Sequence, residues 1–166
     1  MPPAVNLTNL RIGLGEDSHS LSAGGPLRLG GIDIPHDKHA VGHSDADVLL
    51  HAVTDALLGA AGLADIGELF PNNAEENRNR NSSAKRTLGY AKVKNHGHQV
   101  DNLDCVVAAE QPKLAPYKLT IRQRMADILS LELDQINLKA KTGEGVGPVG
   151  EQSIIQARCV ALLQQA

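Results

Sequence analysis

The sequence predicts a single α/β domain in which helices pack on one mixed sheet of the four-stranded type. Apolar segments that alternate like strands are interleaved with segments of helical period, in the order strand, strand, helix, helix, strand, helix, strand, helix. The chain has 166 residues, enough for one buried core, and neither a repeat nor a linker divides it. We therefore expect one domain over residues 1–166, with residues 1–9 as a short N-terminal extension.

Composition excludes several classes of protein. Hydrophobic residues make up 42% of the chain but aromatics only 2%, and the net charge is −3, which argues against a nucleic-acid-binding surface. No apolar run reaches the length of a membrane helix, and the N-terminus does not resemble a signal peptide. Cys105 and Cys159 lie in apolar runs; we interpret both as reduced core residues of a cytosolic protein, with a disulfide as the alternative.

The N-terminal third predicts a strand whose two faces differ. The strand is predicted over residues 11–17. Leu10, just before it, shares one face with Ile12 and Leu14. The other face carries Gly13, Gly15, Asp17 and His19. Residues 27–35 form a short strand or a hairpin interrupted by Gly30 and Gly31, and residues 36–42 form a polar loop.

A helix is predicted from Ser44, its N-cap, to shortly before Gly62, with Asp47 in the capping-box position. Asp47, His51 and Asp55 recur four residues apart and form a polar stripe on this otherwise apolar helix. Such a stripe indicates a helix face that is turned toward a site. Residues 65–70 form one more helical turn, ended by Pro71.

The remaining elements follow from polarity and period. Residues 72–83 are polar and rich in Asn, which is typical of a mobile surface loop or lid. Helices are predicted over residues 84–96, capped by Ser82 or Ser83, and over residues 116–131, with Leu119, Met125, Ile128 and Leu129 inward. Residues 103–109 predict a strand buried on both faces, residues 136–142 a further strand, and the segment that carries Ile154, Ile155, Ala157, Val160, Ala161 and Leu163 a last helix.

Asp17 and His19 leave the same face of an extended strand and can reach one ion. With His51 they form two imidazoles and one carboxylate, a set suited to Zn²⁺ with an open fourth position. The alternative is that these residues are ordinary hydrogen-bonded histidines and an aspartate that meet by chance.

Three further segments are candidates for binding an anion. His43 and Ser44 stand at a helix start, where free N–H groups and the helix dipole attract anions, although a plain N-cap gives the same pattern. Residues 109–116 present Lys113 between prolines after a strand. Residues 139–147 offer Thr142, Glu144 and open glycine backbone. Each of these segments alone is also compatible with a solvated surface loop.

Together these segments resemble the 2-C-methyl-D-erythritol 2,4-cyclodiphosphate synthase family of the non-mevalonate isoprenoid pathway. The matching stretches are RIGLGEDSH at residues 11–19, GHSDADVLLHAVTDALLGAAGLADIGELFP at 42–71, EQPKLAP at 110–116 and NLKAKTGEG at 137–145. The family implies a ferredoxin-like or chorismate-mutase-like subunit and a homotrimer with active sites between subunits. It also implies Zn²⁺ held by Asp17, His19 and His51, and a second ion, Mg²⁺ or Mn²⁺, on Glu144.

The resemblance implies a set of substrate-binding residues as well. They are Asp17, His19, His43, Ser44, Asp65, Ile66, Gly67, Phe70, Asn72, Ala109, Pro112, Lys113, Leu114, Lys141, Thr142, Gly143 and Glu144, of which His43, Lys113 and Thr142 are expected to be catalytic. The implied substrate is 4-diphosphocytidyl-2-C-methyl-D-erythritol 2-phosphate, cyclised with release of CMP in the cytoplasm of a bacterium, rather than in a plastid.

The chain departs from the family pattern at a few positions. After Phe70 and Pro71, the family usually has two aspartates where this chain has Asn72 and Ala74. Lys141 and Gly143 flank Thr142 in place of other threonines, and the glycine-rich loop before the last element lacks an arginine. Two alternatives follow: a catalytically impaired relative that binds cytidine nucleotide or isoprenoid phosphate, and a zinc hydrolase that would need only the two histidines and the aspartate.

Overall fold

A computed structural model describes residues 9–42, 45–71 and 82–166 of the chain, with backbone only for residues 82–88. Its main sheet has five strands in the order β4-β1-β7-β5-β6, and β2 and β3 form a separate two-stranded hairpin. The prediction of an α/β domain is confirmed, but the sheet has five strands rather than four. Two of its strands, β4 and β7, were not predicted as strands, and the segment at residues 27–35 forms the separate hairpin.

The strands are β1 (Leu10–Ala23), β2 (Leu27–Leu29), β3 (Ile32–Ile34), β4 (Lys38–Val41), β5 (His98–Ala108), β6 (Ile136–Lys141) and β7 (Ile154–Gln165). The helices are α1 (Val48–Ala60), α2 (Ile66–Leu69), α3 (Ser82–Asn95), α4 (Lys118–Leu129) and α5 (Gly147–Gly150). Single 3₁₀ turns at Ala115–Tyr117 and Leu133–Gln135 precede α4 and β6. Among the described residues, no helix is long and apolar enough to cross a membrane.

Strand β7 is the centre of the sheet. It pairs antiparallel with β1 on one side and with β5 on the other, and β5 pairs parallel with β6. The helix predicted for this segment is therefore wrong. The buried residues of β7, namely Ile155, Ala157, Cys159, Ala161 and Leu163, alternate with more exposed ones, as a strand requires. Cys105 and Cys159 face each other across β5 and β7, both buried and free, as the reduced-core interpretation predicts.

Helix α1 packs on the face of β1 that carries glycines. A β-carbon on Gly13 would lie 1.9 Å from the carbonyl oxygen of Ala56, so only glycine allows this approach. The helix buries most of its side chains there, in a core of Val, Leu and Ala. The opposite face of the sheet is open: Ile12 is 73% exposed, Leu14 65% and Val160 45%. The alternation predicted for β1 is confirmed, and its bulky apolar face is the uncovered one.

The start of α1 differs from the prediction. The N-cap is Asp47, whose side chain accepts the N–H of Leu50, and the helix begins at Val48. Asp47 also accepts the N–H groups of Gly30 at 3.0 Å and Gly31 at 2.8 Å, and it is fully buried. Of the predicted polar stripe, Asp47 thus belongs to the core, where it ties α1 to the β2–β3 hairpin.

Other corrections concern element ends and burial. The predicted polar loop at residues 36–42 contains β4, which pairs with the last part of β1. Strand β5 is buried on one face and half-buried on the other, because the open side of the sheet lacks a covering layer among the described residues. Leu119 is 54% exposed rather than inward, and Ile121 takes the buried position on α4. Ser82 and Ser83 lie within α3, so they are not its N-cap.

Candidate metal centre and substrate-binding loops

The structure brings Asp17, His19 and His51 together, as the sequence predicts. Their nearest ligand atoms all lie within 4.8 Å of one another. The carboxylate oxygen Oδ2 of Asp17 is 2.9 Å from Nε2 of His19 and 3.0 Å from Nδ1 of His51. The two histidine nitrogens are 3.4 Å apart. Three donor atoms that converge on one point from a strand and a helix fit a single divalent cation.

A backbone carbonyl orients one of these ligands. Nδ1 of His19 lies 3.1 Å from the carbonyl oxygen of Val41 on β4. Nδ1 is therefore the protonated nitrogen in the neutral ring, which leaves the Nε2 lone pair free for a metal. Sequence analysis missed this contact because β4 was interpreted as a loop. Recognition of a strand at residues 38–41 would have revealed it.

The charges of these three side chains stabilise each other. Burial opposes ionisation of Asp17, but hydrogen bonds from His19 and His51 outweigh it and hold the pKa of Asp17 well below its usual range. The hydrogen bond to Asp17 raises the pKa of His19 above the usual value. A cation would replace the histidine protons as the partner of the carboxylate, so the set is suited to hold positive charge.

Asp55, one turn after His51, connects the metal helix to α2. Its carboxylate accepts the N–H of Ile66 at 2.8 Å, and Asp65 caps the same turn by accepting the N–H of Glu68. Burial raises the pKa of Asp55, because the Ile66 contact only partly offsets the loss of solvent. The predicted helical turn is confirmed, and it holds Asp65 and Gly67 at the surface. Phe70 is buried, so its side chain serves the core.

The second group of predicted residues lines a cleft at the ends of β5 and β6. The cleft has a volume of about 180 Å³ and is lined by Ala109, Pro112, Lys113, Leu114, Ala115, Ala140, Lys141 and Thr142. The Lys113 side chain is exposed, whereas Leu114 is buried and anchors the loop. A cationic side chain beside a small, partly apolar cleft can bind a phosphorylated ligand.

A tight turn follows β6 at the same cleft. The hydroxyl of Thr142 donates to the carboxylate of Glu144 at 3.1 Å, and the Glu144 N–H donates to the Thr142 hydroxyl at 3.3 Å. Glu144 has φ +52°, a left-handed conformation that its side chain disfavours. The adjacent Gly143 donates its N–H to Glu110. Sequence analysis named Glu110 only as part of a motif. An acidic residue just after a strand is nevertheless a signal for a contact with the loop that follows the neighbouring strand.

The two groups of residues lie at the same end of the sheet. Asp17 and Val107 both pair with Ala157, so the metal ligands on β1 are level with the end of β5. Because β7 separates those strands, the two groups are offset sideways by two strand spacings, about 10 Å. The predicted site residues His43, Ser44 and Asn72, and the loop at residues 72–81, lie outside the described part of the chain.

Fold and site together define an α/β protein in which three side chains fit a divalent cation and a separate cleft is suited to phosphorylated ligands. The profile of the YgbB family matches residues 10–164. The chain is 51% identical over 155 residues to 2-C-methyl-D-erythritol 2,4-cyclodiphosphate synthase of Rhodopirellula baltica, covering 93% of each chain. The chain belongs to the YgbB family.

Solved structures of cyclodiphosphate synthases are also similar to this chain. A 2C-methyl-D-erythritol-2,4-cyclodiphosphate synthase in a form bound to CDP superposes with a TM-score of 0.85 at 40% identity, covering 93% of this chain and 100% of that one. The bifunctional IspDF of Campylobacter jejuni has a TM-score of 0.88 at 37% identity, covering 95% of this chain and 42% of that one. The resemblance stated from the motifs is thereby confirmed.

Proposed function

We propose that the chain converts 4-diphosphocytidyl-2-C-methyl-D-erythritol 2-phosphate to 2-C-methyl-D-erythritol 2,4-cyclodiphosphate and CMP, as a phosphorus–oxygen lyase of isoprenoid precursor biosynthesis. The observation that carries the proposal is the converging Asp17, His19 and His51 set in a chain 51% identical to a synthase of that name. We further propose that it acts in a bacterial cytoplasm, in line with the bacterial source of that relative.

Asp17, His19 and His51 would hold Zn²⁺, and Glu144 would hold Mg²⁺ or Mn²⁺. When bound, such ions supply positive charge that neutralises phosphate oxygens. The donor chemistry supports zinc in the first position, because two imidazoles and one carboxylate with an open fourth site form a usual catalytic zinc set. The carboxylate of Glu144 favours a harder ion that prefers oxygen ligands.

In the proposed reaction, an oxygen of the 2-phosphate attacks the β-phosphorus. The bond from that phosphorus to the bridging oxygen breaks, and its electron pair leaves with CMP. The chain has little covalent chemistry to do, so its residues act by position and charge. Lys113 binds the diphosphate, and Thr142 donates a hydrogen bond to the transferred phosphoryl group. His43 and Ser44 bind the 2-phosphate, while Asp65, Ile66 and Gly67 bind the erythritol end together with Phe70 and Asn72.

The nucleotide half of the cleft takes the remaining predicted residues. Ala109, Pro112 and Leu114 surround the cytidine diphosphate together with Lys141 and Gly143. The proposed reaction thus uses all predicted site residues, and its catalytic members are His43, Lys113 and Thr142. The cleft lining of small and apolar side chains beside two exposed lysines, Lys113 and Lys141, supports this division.

We infer that the chain forms a homotrimer with sites between subunits. The open sheet face supports this inference, because Ile12, Leu14 and Val160 expose a contiguous apolar surface on two neighbouring strands. The sideways offset of about 10 Å between the metal ligands and the cleft of one chain also supports it. A neighbouring subunit can supply the missing half of each site.

A second candidate function is favoured by the absence of carboxylates at Asn72 and Ala74. In that case the chain is a relative that binds cytidine nucleotide or isoprenoid phosphate without turnover. A zinc hydrolase of simple phosphoesters is the third candidate, and it would need only the metal set. These candidates predict different phosphorus products from the same starting compound.

The deciding experiment is phosphorus NMR of the zinc-loaded protein with 4-diphosphocytidyl-2-C-methyl-D-erythritol 2-phosphate and Mg²⁺. We expect equal amounts of CMP and a cyclic diphosphate. Unchanged substrate, with zinc content verified, would overturn the synthase in favour of the binding relative. Inorganic phosphate without a cyclic product would indicate the hydrolase.

A further inference from the structure

Glu110 connects the two loops that form the cleft. It lies two residues after the end of β5, and its Oε2 accepts the N–H of Gly143, two residues after the end of β6, at 2.9 Å. The first loop carries Lys113 and the second carries Thr142 and Glu144. A carboxylate acceptor gives a stronger hydrogen bond to an amide than a neutral acceptor does.

This contact takes over where backbone pairing stops. The register of β5 and β6 ends at the pair Ala108 and Lys141, and the N–H of Ala109 donates to the carbonyl of Lys141 at 2.9 Å. After that bond, β5 and β6 each continue into a loop. The Glu110 side chain spans the gap and extends the attachment between the strands into the cleft.

The attached residue is the centre of a constrained turn. A β-carbon on Gly143 would lie 2.3 Å from the backbone nitrogen of Gly150, so the loop folds back tightly on itself there. Thr142 and Glu144 on either side are hydrogen-bonded to each other. Fixing the Gly143 amide therefore fixes the direction of both neighbouring side chains relative to the first loop.

We propose that Glu110 is a positioning residue that holds Thr142 and Glu144 in register with Lys113 through the amide of Gly143. This inference rests on the proposed function for its catalytic consequence, but its structural part does not. Without the contact, the second loop can shift relative to the first. A displacement on the order of 1 Å at a phosphoryl-transfer site is enough to cost about 100-fold in rate.

Three variants separate position from charge. Glu110→Gln keeps a carbonyl acceptor at the same reach, Glu110→Asp keeps the charge but falls short of Gly143, and Glu110→Ala removes both. In zinc-loaded protein we expect kcat to fall about 10–100-fold in the Asp and Ala variants. We expect kcat and KM of the Gln variant to stay within about threefold of the parent, whereas KM should rise in the Asp and Ala variants, and zinc content should be little changed in all three.

Hydrogen exchange of the Gly143 amide, measured by nitrogen–proton NMR without substrate, tests the contact itself. We expect at least about tenfold faster exchange in the Ala and Asp variants than in the parent and the Gln variant. CDP binding by calorimetry should weaken in the same two variants.

Full activity of Glu110→Asp, or a Gln variant as defective as the Ala variant, would overturn the proposal. A parent protein that lacks turnover would refute the proposed function alone, since the amide exchange and CDP binding would still decide the role of Glu110. Loss of zinc together with loss of folding in the Ala variant, with the Gln variant equally affected, would reveal a general stabilising role and also overturn the inference.

Discussion

Gly15 approaches Ala52 so closely that a β-carbon on Gly15 would lie 1.8 Å from the Ala52 carbonyl oxygen. This contact sets the distance between β1 and α1. Asp17 is two residues further along the strand, and His51 immediately precedes Ala52 on the helix. The metal ligands can therefore meet because the strand has no side chain at the contact point.

Gly15→Ala is expected to destabilise the fold and to weaken metal binding together. Overpacking against backbone costs about 1–3 kcal/mol, and more where the obstacle cannot move. Thermal unfolding and zinc titration measure the two effects. Gly59→Ala is the matched control, since its β-carbon would come no closer than 4.0 Å to a neighbour and alanine favours a helix by about 0.5–1 kcal/mol. Unchanged zinc affinity in Gly15→Ala would contradict the argument.

His51→Asn is expected to abolish stoichiometric zinc. Loss of a direct ligand should cost more than the roughly 10–100-fold in metal affinity that loss of an outer-shell partner costs. Zinc per chain after dialysis, measured by atomic emission, provides the test, and phosphorus NMR should show turnover lost in parallel. The control is His96→Asn, which changes an exposed histidine whose Nδ1 lies 2.9 Å from the carbonyl oxygen of Lys92. Retention of one zinc by His51→Asn would refute the ligand set.

Asp47→Ala is expected to destabilise the protein by about 3 kcal/mol or more. It leaves the amides of Gly30 and Gly31 buried without their acceptor, at about 1–3 kcal/mol each, and removes the N-cap of α1. Asp47→Asn keeps one acceptor oxygen, so its free energy of unfolding should lie between those of the parent and the alanine variant. Chemical denaturation gives the free energy of unfolding. If the alanine variant is as stable as the parent, the Asp47 carboxylate does not stabilise the packing of α1 on the β2–β3 hairpin.

Asp55→Asn is expected to raise the melting temperature near pH 7–8. Burial, reinforced by the charges of Asp65 and Asp17, raises the pKa of Asp55 in the folded protein, so the folded state binds this proton more tightly than the unfolded chain. The resulting destabilisation grows as pH rises above the unfolded value of about 3.9 and is complete above the folded pKa. The asparagine still accepts the Ile66 amide and carries no charge.

Melting curves of parent and Asp55→Asn between pH 4 and pH 8 test that expectation. The gap in melting temperature should narrow as pH falls toward about 4, because the folded aspartic acid is then increasingly protonated and the unfolded one begins to be protonated as well. A variant that is less stable than the parent at pH 8 would mean that the charge is stabilising.

If the chain forms the proposed homotrimer, Leu14→Asp is expected to give monomers. A charge in the centre of the open apolar face opposes its burial against another subunit. Light scattering coupled to size exclusion gives the mass. Leu119→Asp is the control, since Leu119 is also exposed but lies on α4, away from that face. Identical masses for Leu14→Asp and its parent would exclude this face as the interface.

The parts of the site that depend on local pattern could be predicted from the sequence. Asp17 and His19 share a face because they are two residues apart on a strand, and His51 follows from helical spacing. A short strand or a hairpin interrupted by Gly30 and Gly31 was predicted at residues 27–35, and the structure has the hairpin. These features depend on neighbours in sequence, so their geometry is encoded locally.

Features set by tertiary context could not be predicted in the same way. Strand β7 has apolar residues on both faces, because Ile154, Val160 and Leu162 lie opposite its buried set, and such a pattern fits a helical as well as a strand period. Asp47 looked like a site residue because its partners, the amides of Gly30 and Gly31, are backbone groups without a signature. Strand β4 is short and polar, as an edge strand can be.

The central position of β7 has a consequence for synthesis. The candidate metal ligands lie between residues 17 and 51 and the cleft follows β5 and β6, and within the sheet β7 is the strand that pairs with both β1 and β5. A ribosome delivers the metal ligands long before it delivers β7, whereas the cleft segments, which end at Thr142, come shortly before β7 begins at Ile154. Final folding thus waits for residues 154–165 and pairs the first strand with the last, a closure of long sequence separation that makes folding slow. Premature release of the nascent chain would leave the metal ligands and the cleft without a common sheet.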